Sequence, residues 1–321
     1  WPHLQHVYSL LAHVLESQFI RAPFVQQYVS REFIRKKLQL FSSYDKRERD
    51  ALKNVLHRVY AKMIGYRSYI RTLLSQMYLR HIYDRPDGAI QGIGEMLEIS
   101  GSITSGFALP IKAEHVTFLR KVLMPMHGTA ELETYHAQLA YCVLQFVSKS
   151  AGSPDPVSGE QNSNEIADIV LRGLLRYWPK CNSTKEIMFM NEFEEVIDAL
   201  SDECFAHYRT VVMQRIARCL GSMHFQVVER AIVMLQNQKV ISELLDYADD
   251  ILLPVLRTQL STHWCKQVRQ RLQNCIEFLD SDANPGSAAE VNTGDEPSDD
   301  FLVAEPPVND SDDTDAAVMD L

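Results

Sequence analysis

The residue types best suited to chemistry crowd into one stretch, LHRVYAKMIGYRSYIR at 56–71, where His57, Arg58, Lys62, Arg67 and Arg71 are interleaved with Tyr60, Tyr66 and Tyr69. Cations set among aromatic rings suit a phosphate backbone or an acidic peptide; the plain alternative is a solvated helix face. On a helix from about 46 to 64, His57 and Arg58 lie away from the apolar stripe Leu52, Val55, Val59, Met63. Arg67 and Arg71, four apart, share one face of the next helix. Further on, IKAEHVTFLRKVL carries Lys112 and His115 on one face by their i, i+3 spacing, and MLEISGSI puts Glu98, Ile99 and Ile103 on the helix between. Cations flanking a small apolar strip fit a peptide that bears both a hydrophobic side chain and a carboxylate.

Covalent chemistry finds little support. GIGEMLEISG contains Gly92 and Gly94 but lacks GxGxxG, a P-loop Lys-Ser/Thr and any preceding strand, which argues against a phosphate loop. His3, His6 and His13 do not have the i, i+4 spacing of a helical ligand pair, and the six cysteines include no CxxC, so they read as reduced core thiols. No GxSxG or Cys-His signature is present. The expectation is therefore a protein that is not an enzyme and needs neither metal nor cofactor.

These residues must be positioned by helices. Apolar residues recur every three or four places in LKNVLHRVYAKMI, YIRTLLSQMYL, FLRKVL, FEEVIDAL and RTVVMQRIARCL, and no run alternates as a strand would. Asp45 with Glu48, and Ser183 with Glu186, have capping-box spacing; Gly65, Pro110 and Pro179 mark stops. The segment count is about fourteen helices, or seven pairs of about 40 residues, the period of a HEAT-like repeat. The fold class expected is an all-α, HEAT-like helical-repeat solenoid over 1–280, with a mobile polar insertion at 148–165, SKSAGSPDPVSGEQNSNE.

The net charge of −10 is unevenly spread: 12 of the 42 acids and none of the 32 bases lie from residue 281 onward. That segment, 281–321, is rich in Asp, Ser, Pro and Gly and is expected to be a disordered acidic tail, apart from FLVA at 301–304. Such a tail, tethered near a cationic groove, is a candidate to occupy it in cis, although FLVAEPP shows no matching motif spacing. Residues 1–90, in contrast, hold 15 Lys and Arg against 7 acids, enough for a basic patch. No window reaches the roughly 18 apolar residues of a membrane span and the start WPHLQHVYSLL lacks a basic signal-peptide region, so the sequence predicts an intracellular protein, cytoplasmic or nuclear, with no membrane partner.

Several strings, in order along residues 1 to about 235, resemble a known family: WPHLQHVY, RERDALKNVLHRVYAKMIGYRSYIR, EMLEISGSITSGFALPIKAEH, FLRKVLMPMH, YHAQLAYCVLQF, LRGLLRYWPK, KEIMFMNEFEEVIDAL and SMHFQVVERAI, with THW at 262–264 a weaker match. They look like the B-prime, or B56-type, regulatory subunits of protein phosphatase 2A. The resemblance implies a HEAT-like solenoid that joins the phosphatase scaffold and catalytic subunits and holds Leu-x-x-Ile-x-Glu motifs of substrate or adaptor proteins in a groove. It further implies an isoleucine pocket of Tyr60, Arg67, Ile99 and Ile103 with His57 stacked beside it. By the same likeness Arg71 and His115 take the motif glutamate, Arg58 a phosphate or acid, Lys112 a downstream acid and Glu98 the peptide backbone. Measured against the family pattern, the chain starts inside the solenoid, 84–90 is about two residues longer than usual, and the acidic tail replaces a basic helical extension.

A second surface is marked by acids: KEIMFMNEFEEVIDALSDE places Glu186, Glu192, Glu194, Glu195, Asp198, Asp202 and Glu203 near one helix, dense enough for a basic partner segment. The competing functional reading is a helical-repeat nucleic-acid binder, or a general scaffold, using the basic first third.

Overall fold

A computed structural model describes residues 1–84, 90–151, 159–244 and 248–282. The helices in chain order are α1 (Pro2–Glu16), α2 (Ala22–Tyr28), α3 (Arg31–Gln39), α4 (Lys46–Lys62), α5 (Arg67–Tyr83), α6 (Ile93–Ser105), α7 (Ala113–Phe118), α8 (Met124–Met126) and α9 (His136–Ala151). They continue with α10 (Gly159–Tyr177), α11 (Ser183–Ala199), α12 (Asp202–Ala206), α13 (Arg209–Leu220), α14 (Phe225–Leu235), α15 (Gln238–Leu244), α16 (Leu253–Thr262) and α17 (Lys266–Asp282). Among the described residues there is no strand. Segments outnumber the expected fourteen because some rods are broken: α7 and α8 are one run bent through a π-turn at Leu119–Leu123.

Helices α1, α4, α6, α9, α11, α14 and α17 pack side by side in that order, a row of seven that matches the seven expected repeats. On the other side α3 meets α5, α5 meets the α7–α8 run, α10 meets α8 and α12, and α13 meets α16. The repeat length is visible in the bonds between row neighbours: Lys53 to Glu98, His57 to Ser102 and Cys142 to the Leu97 carbonyl each join residues 45 apart. Between the rows lies a continuous core, with Leu52, Ile70, Tyr78, Leu97, Leu119, Leu139, Phe146, Phe189, Phe193, Val228 and Leu272 among its buried members. No helix is long and apolar enough to cross a membrane among the described residues.

Local expectations fare unevenly. Asp45 caps α4 by accepting from the Arg47 amide, but Glu48 does not complete a box; its carboxylate accepts from the Tyr8 hydroxyl (3.1 Å) and from Ser43 (2.6 Å). At α11 the cap is Asn182, one residue before the expected Ser183, and Glu186 instead accepts from the Trp178 indole. The insertion expected at 148–165 is largely helical in its described part, since α9 runs to Ala151 and α10 begins at Gly159. Residues 152–158, 85–89 of the long 84–90 segment, and the acidic tail from 283 lie outside the described residues. All six cysteines are free thiols; Cys142, Cys204 and Cys219 are buried, whereas Cys181 is exposed.

Two glycines of GIGEMLEISG, Gly92 and Gly101, have a packing role, whereas a Cβ on Gly94 would meet nothing closer than 3.8 Å. A Cβ on Gly92 would lie 2.6 Å from the backbone oxygen of Phe41, and one on Gly101 would lie 2.7 Å from the ring of Tyr141. Helix α6 can approach its surroundings this closely only because those side chains are missing. The Tyr141 ring is half exposed and free to swing, but Phe41 is buried and its backbone is not. Gly92→Ala is therefore expected to lower stability by about 1–3 kcal/mol, read as a lower urea midpoint at unchanged slope.

Candidate functional site

The basic stretch opens where α4 turns into α5. Helix α4 stops at Lys62, and a short 3-10 turn at Ile64–Tyr66 reverses the chain so that α5 starts at Arg67. Arg67 closes this corner: Nε donates to the Tyr60 carbonyl (3.0 Å), Nη2 to the Ala61 carbonyl (3.1 Å), and the guanidinium lies 5.3 Å from the Tyr60 ring centroid. One turn later Arg71 Nη1 donates to the Tyr60 hydroxyl (3.2 Å) and Nη2 to Glu114 at the start of α7 (3.1 Å). Tyr60, Arg67 and Arg71 thus form one connected cluster that reaches α7.

Three polar links hold α6 beside α4: Arg49 to Glu95 (2.8 Å), Lys53 to Glu98 (2.6 Å) and His57 to Ser102 (2.9 Å). They bring Ile99 and Ile103 behind the cations, 2 % and 7 % exposed. A cavity of about 140 Å³ opens between α5, α6 and α7, with Arg71, Ser75, Ile103, Phe107, Glu114 and His115 in its wall. His115 is stacked on Phe107, with centroids 3.7 Å apart and planes 7° from parallel. Burial lowers the His115 pKa below the ordinary imidazole value; Arg71 and Lys112 push the same way and Glu114 opposes them. The imidazole is thus neutral near pH 7, free to accept a proton when a carboxylate arrives.

Of the ten expected groove residues, Arg71, Ile103 and His115 line this cavity, Tyr60 and Arg67 join Arg71 at the α4–α5 corner, and His57 and Glu98 belong to the α4–α6 links. Ile99 lies deeper and serves as floor. Lys112 is the exposed N-cap of α7, and Arg58 points the other way along α4, 3.4 Å from Glu16 on α1. Lys62, part of the opening stretch, instead donates to the carbonyls of Leu15 and Ser17 and closes the end of α1. Sequence reasoning missed Glu114 and Phe107. The available signal was the acid standing between Lys112 and His115 in KAEH.

The acidic surface needs correction. Glu192 is 2 % exposed, not a surface residue: His127 Nε2 lies 3.1 Å from its Oε1, and His136 Nε2 lies 2.8 Å from its Oε2. Glu186 bonds Trp178, and Glu194 is ion-paired with Arg230 and accepts from Asn237. The exposed acids that remain are Glu195, Asp198, Asp202 and Glu203.

Burial alone would raise the Glu192 pKa, but the two imidazoles outweigh it and hold the carboxyl well below the usual range. Burial would likewise lower His127, and Glu192 wins there too, so its pKa is raised. Glu192 therefore contributes stability above the ordinary carboxylate pKa that is lost as pH falls through its depressed folded value. The His127 contribution is complete below the ordinary imidazole pKa and is lost as pH rises through its raised folded value. Glu192→Ala, which strands both imidazoles, is expected to cost about 3–5 kcal/mol in urea unfolding at pH 6, and less as pH rises through the raised His127 value.

A family model described as protein phosphatase 2A regulatory B subunit (B56 family) matches residues 1–296. The chain is 40 % identical over 283 residues to the serine/threonine-protein phosphatase 2A 56 kDa regulatory subunit alpha isoform of Mus musculus, covering 87 % of this chain and 55 % of that protein. It is 40 % identical over 282 residues to the delta isoform of Oryctolagus cuniculus, covering 87 % and 46 %. With the regulatory subunit pptr-1 of Caenorhabditis elegans the identity is 40 % over 280 residues, covering 86 % and 49 %. The chain spans about half the length of the curated relatives it matches. With a family match across nearly the whole solenoid, the chain belongs to the B56 family of protein phosphatase 2A regulatory B subunits.

Proposed function

We propose that the chain is a non-catalytic regulatory subunit that recruits substrates to protein phosphatase 2A by holding Leu-x-x-Ile-x-Glu motifs between α4, α5, α6 and α7. The observation that carries this reading is the pairing of Arg71 and His115 at the mouth of a small cavity walled by Ile103 and Phe107. A guanidinium beside a neutral, protonatable imidazole suits a carboxylate, and the apolar wall suits an aliphatic residue near it in an extended peptide. In this arrangement Tyr60, Arg67 and Ile103 bound the isoleucine position over Ile99, with His57 beside it. Arg58 and Lys112 meet acids or phosphate at either end, and Glu98, held by Lys53, faces the peptide backbone. The rest of the solenoid, including the exposed acids Glu195 and Asp198, is left to contact the scaffold and catalytic subunits and basic partner segments.

Nucleic-acid binding by the basic first third is the weaker reading on a specific ground. Many of its cations are already engaged within the protein: Lys62 on two carbonyls, Arg49 on Glu95 and two carbonyls, Arg67 on two carbonyls, and Arg35 on Glu32. A phosphate-backbone interface needs such groups free, and its affinity would fall steeply with salt.

The test is a titration with a fluorescent Leu-x-x-Ile-x-Glu peptide, its glutamate-to-alanine version and a single-stranded oligonucleotide at two salt concentrations. Peptide binding that needs the glutamate and survives salt is expected; oligonucleotide binding without peptide selectivity overturns the proposal. Deleting one charge-assisted hydrogen bond costs roughly 1.5–3 kcal/mol, so Arg71→Ala or His115→Ala is expected to weaken the peptide by about ten- to a hundredfold while the far-ultraviolet circular dichroism spectrum stays that of the folded chain. Because a bound carboxylate favours protonated His115, affinity should also rise as pH falls from 8 to 6, and this rise should vanish in His115→Gln.

A further inference from the structure

An opening that no functional assignment uses lies at the other end of the row, between α14 and α17, with Gln236, Gln238 and Asn274 beside its apolar wall. It encloses about 520 Å³ and is walled by Ile232, Val233 and Leu235 from α14 and by Cys275, Phe278 and Leu279 from α17. The single charged residue in the wall is Arg271, whose guanidinium lies 3.6 Å from Glu229. An opening of this size and character is built to hold a few apolar side chains beside an acid.

We propose that its occupant is the chain's own segment at 301–304, FLVA, docked in cis. The chain leaves α17 at Asp282, within one to two helical turns of Phe278 and Cys275, so the continuing polypeptide starts at the edge of the opening. The 18 residues between Asp282 and Phe301 reach about 60 Å when extended and about 25 Å as a flexible coil, ample for any point on α14 or α17. Tethering at this length gives a local concentration in the millimolar range, so a weak fit is enough for occupancy. Composition singles out the occupant. Phe301 is the only aromatic residue after Phe278, and with Leu302 and Val303 it forms an apolar island in a stretch with 11 acids and no Lys or Arg. Asp299 and Asp300 before it and Glu305 after it complement Arg271, and Pro297, Pro306 and Pro307 keep the island short.

The site has its own reporter. Cys275 lines the opening and is half-buried, its thiol pushed up to about 11 by burial, whereas Cys181 is exposed elsewhere and serves as an internal reference. The full chain is alkylated with N-ethylmaleimide at pH 8.5 and the modification of each cysteine followed by mass spectrometry. Phe301→Asp/Leu302→Asp is expected to speed Cys275 labelling by about fivefold or more relative to Cys181, as loss of a millimolar tethered ligand would. Val318→Asp/Met319→Asp, altering the other apolar group of the tail, should leave the rate unchanged. In parallel, p-benzoylphenylalanine at position 301 is expected to photo-cross-link within one chain to α14 or α17. Equal Cys275 rates in wild type and the 301/302 variant overturn the proposal. So does a cross-link to the groove at α4–α7, to any other surface, or between two chains.

Discussion

The arrangement of the site rests on how α4 is held against α6. Arg49, Lys53 and His57 stand one helical turn apart on α4 and meet Glu95, Glu98 and Ser102 on α6, so three polar links run up the interface like rungs. Apolar contacts between helices tolerate sliding by a fraction of a turn, but charge-assisted bonds do not, and the lowest rung is nearly closed to solvent, with side chains 12 % and 10 % exposed. Arg49 also donates to the carbonyls of Ser43 and Tyr44, which ties the start of α4 to the same point. With the register set there, Tyr60 at the top of α4 and Ile103 at the end of α6 come to rest on either side of Arg67 and Arg71.

Much of this was legible from spacing alone. The period of about 40 residues gave a row of seven, and the i, i+4 relation of Arg67 and Arg71 put both on the face of α5 that meets Tyr60. What spacing could not disclose was which polar residues would be consumed by partners far away in sequence. Glu48 has the position of a capping-box acid, yet Tyr8, 40 residues earlier, claims it. Glu192 sits in a run of acids that reads as solvated, yet His127 and His136 reach it from 65 and 56 residues away. In a helix acidic on several sides, charge does not reveal which side docks, and only the packing of α11 on α9 decides it.

The cation proposed to meet the motif carboxylate is not bare. Glu114 accepts from Arg71 and lies 3.6 Å from the His115 ring nitrogen, so an internal carboxylate already stands where an incoming one is proposed to bind. Binding then becomes an exchange of carboxylates with little net change in charge at Arg71. This favours a peptide whose apolar residues also engage and gives a merely acidic one little advantage.

The buried His127–Glu192–His136 knot has a consequence for how the molecule comes apart. In a stack whose members touch mainly their neighbours, unfolding is free to begin at an end and stop at any weak interface, leaving fragments folded. Here one carboxylate in the middle of the row is shared by imidazoles from the α8 end and from α9, so separating α9 from α11 gives up the buried contacts to that carboxylate together. A break between α9 and α11 is therefore expected to be disfavoured relative to fraying from either flank of the row.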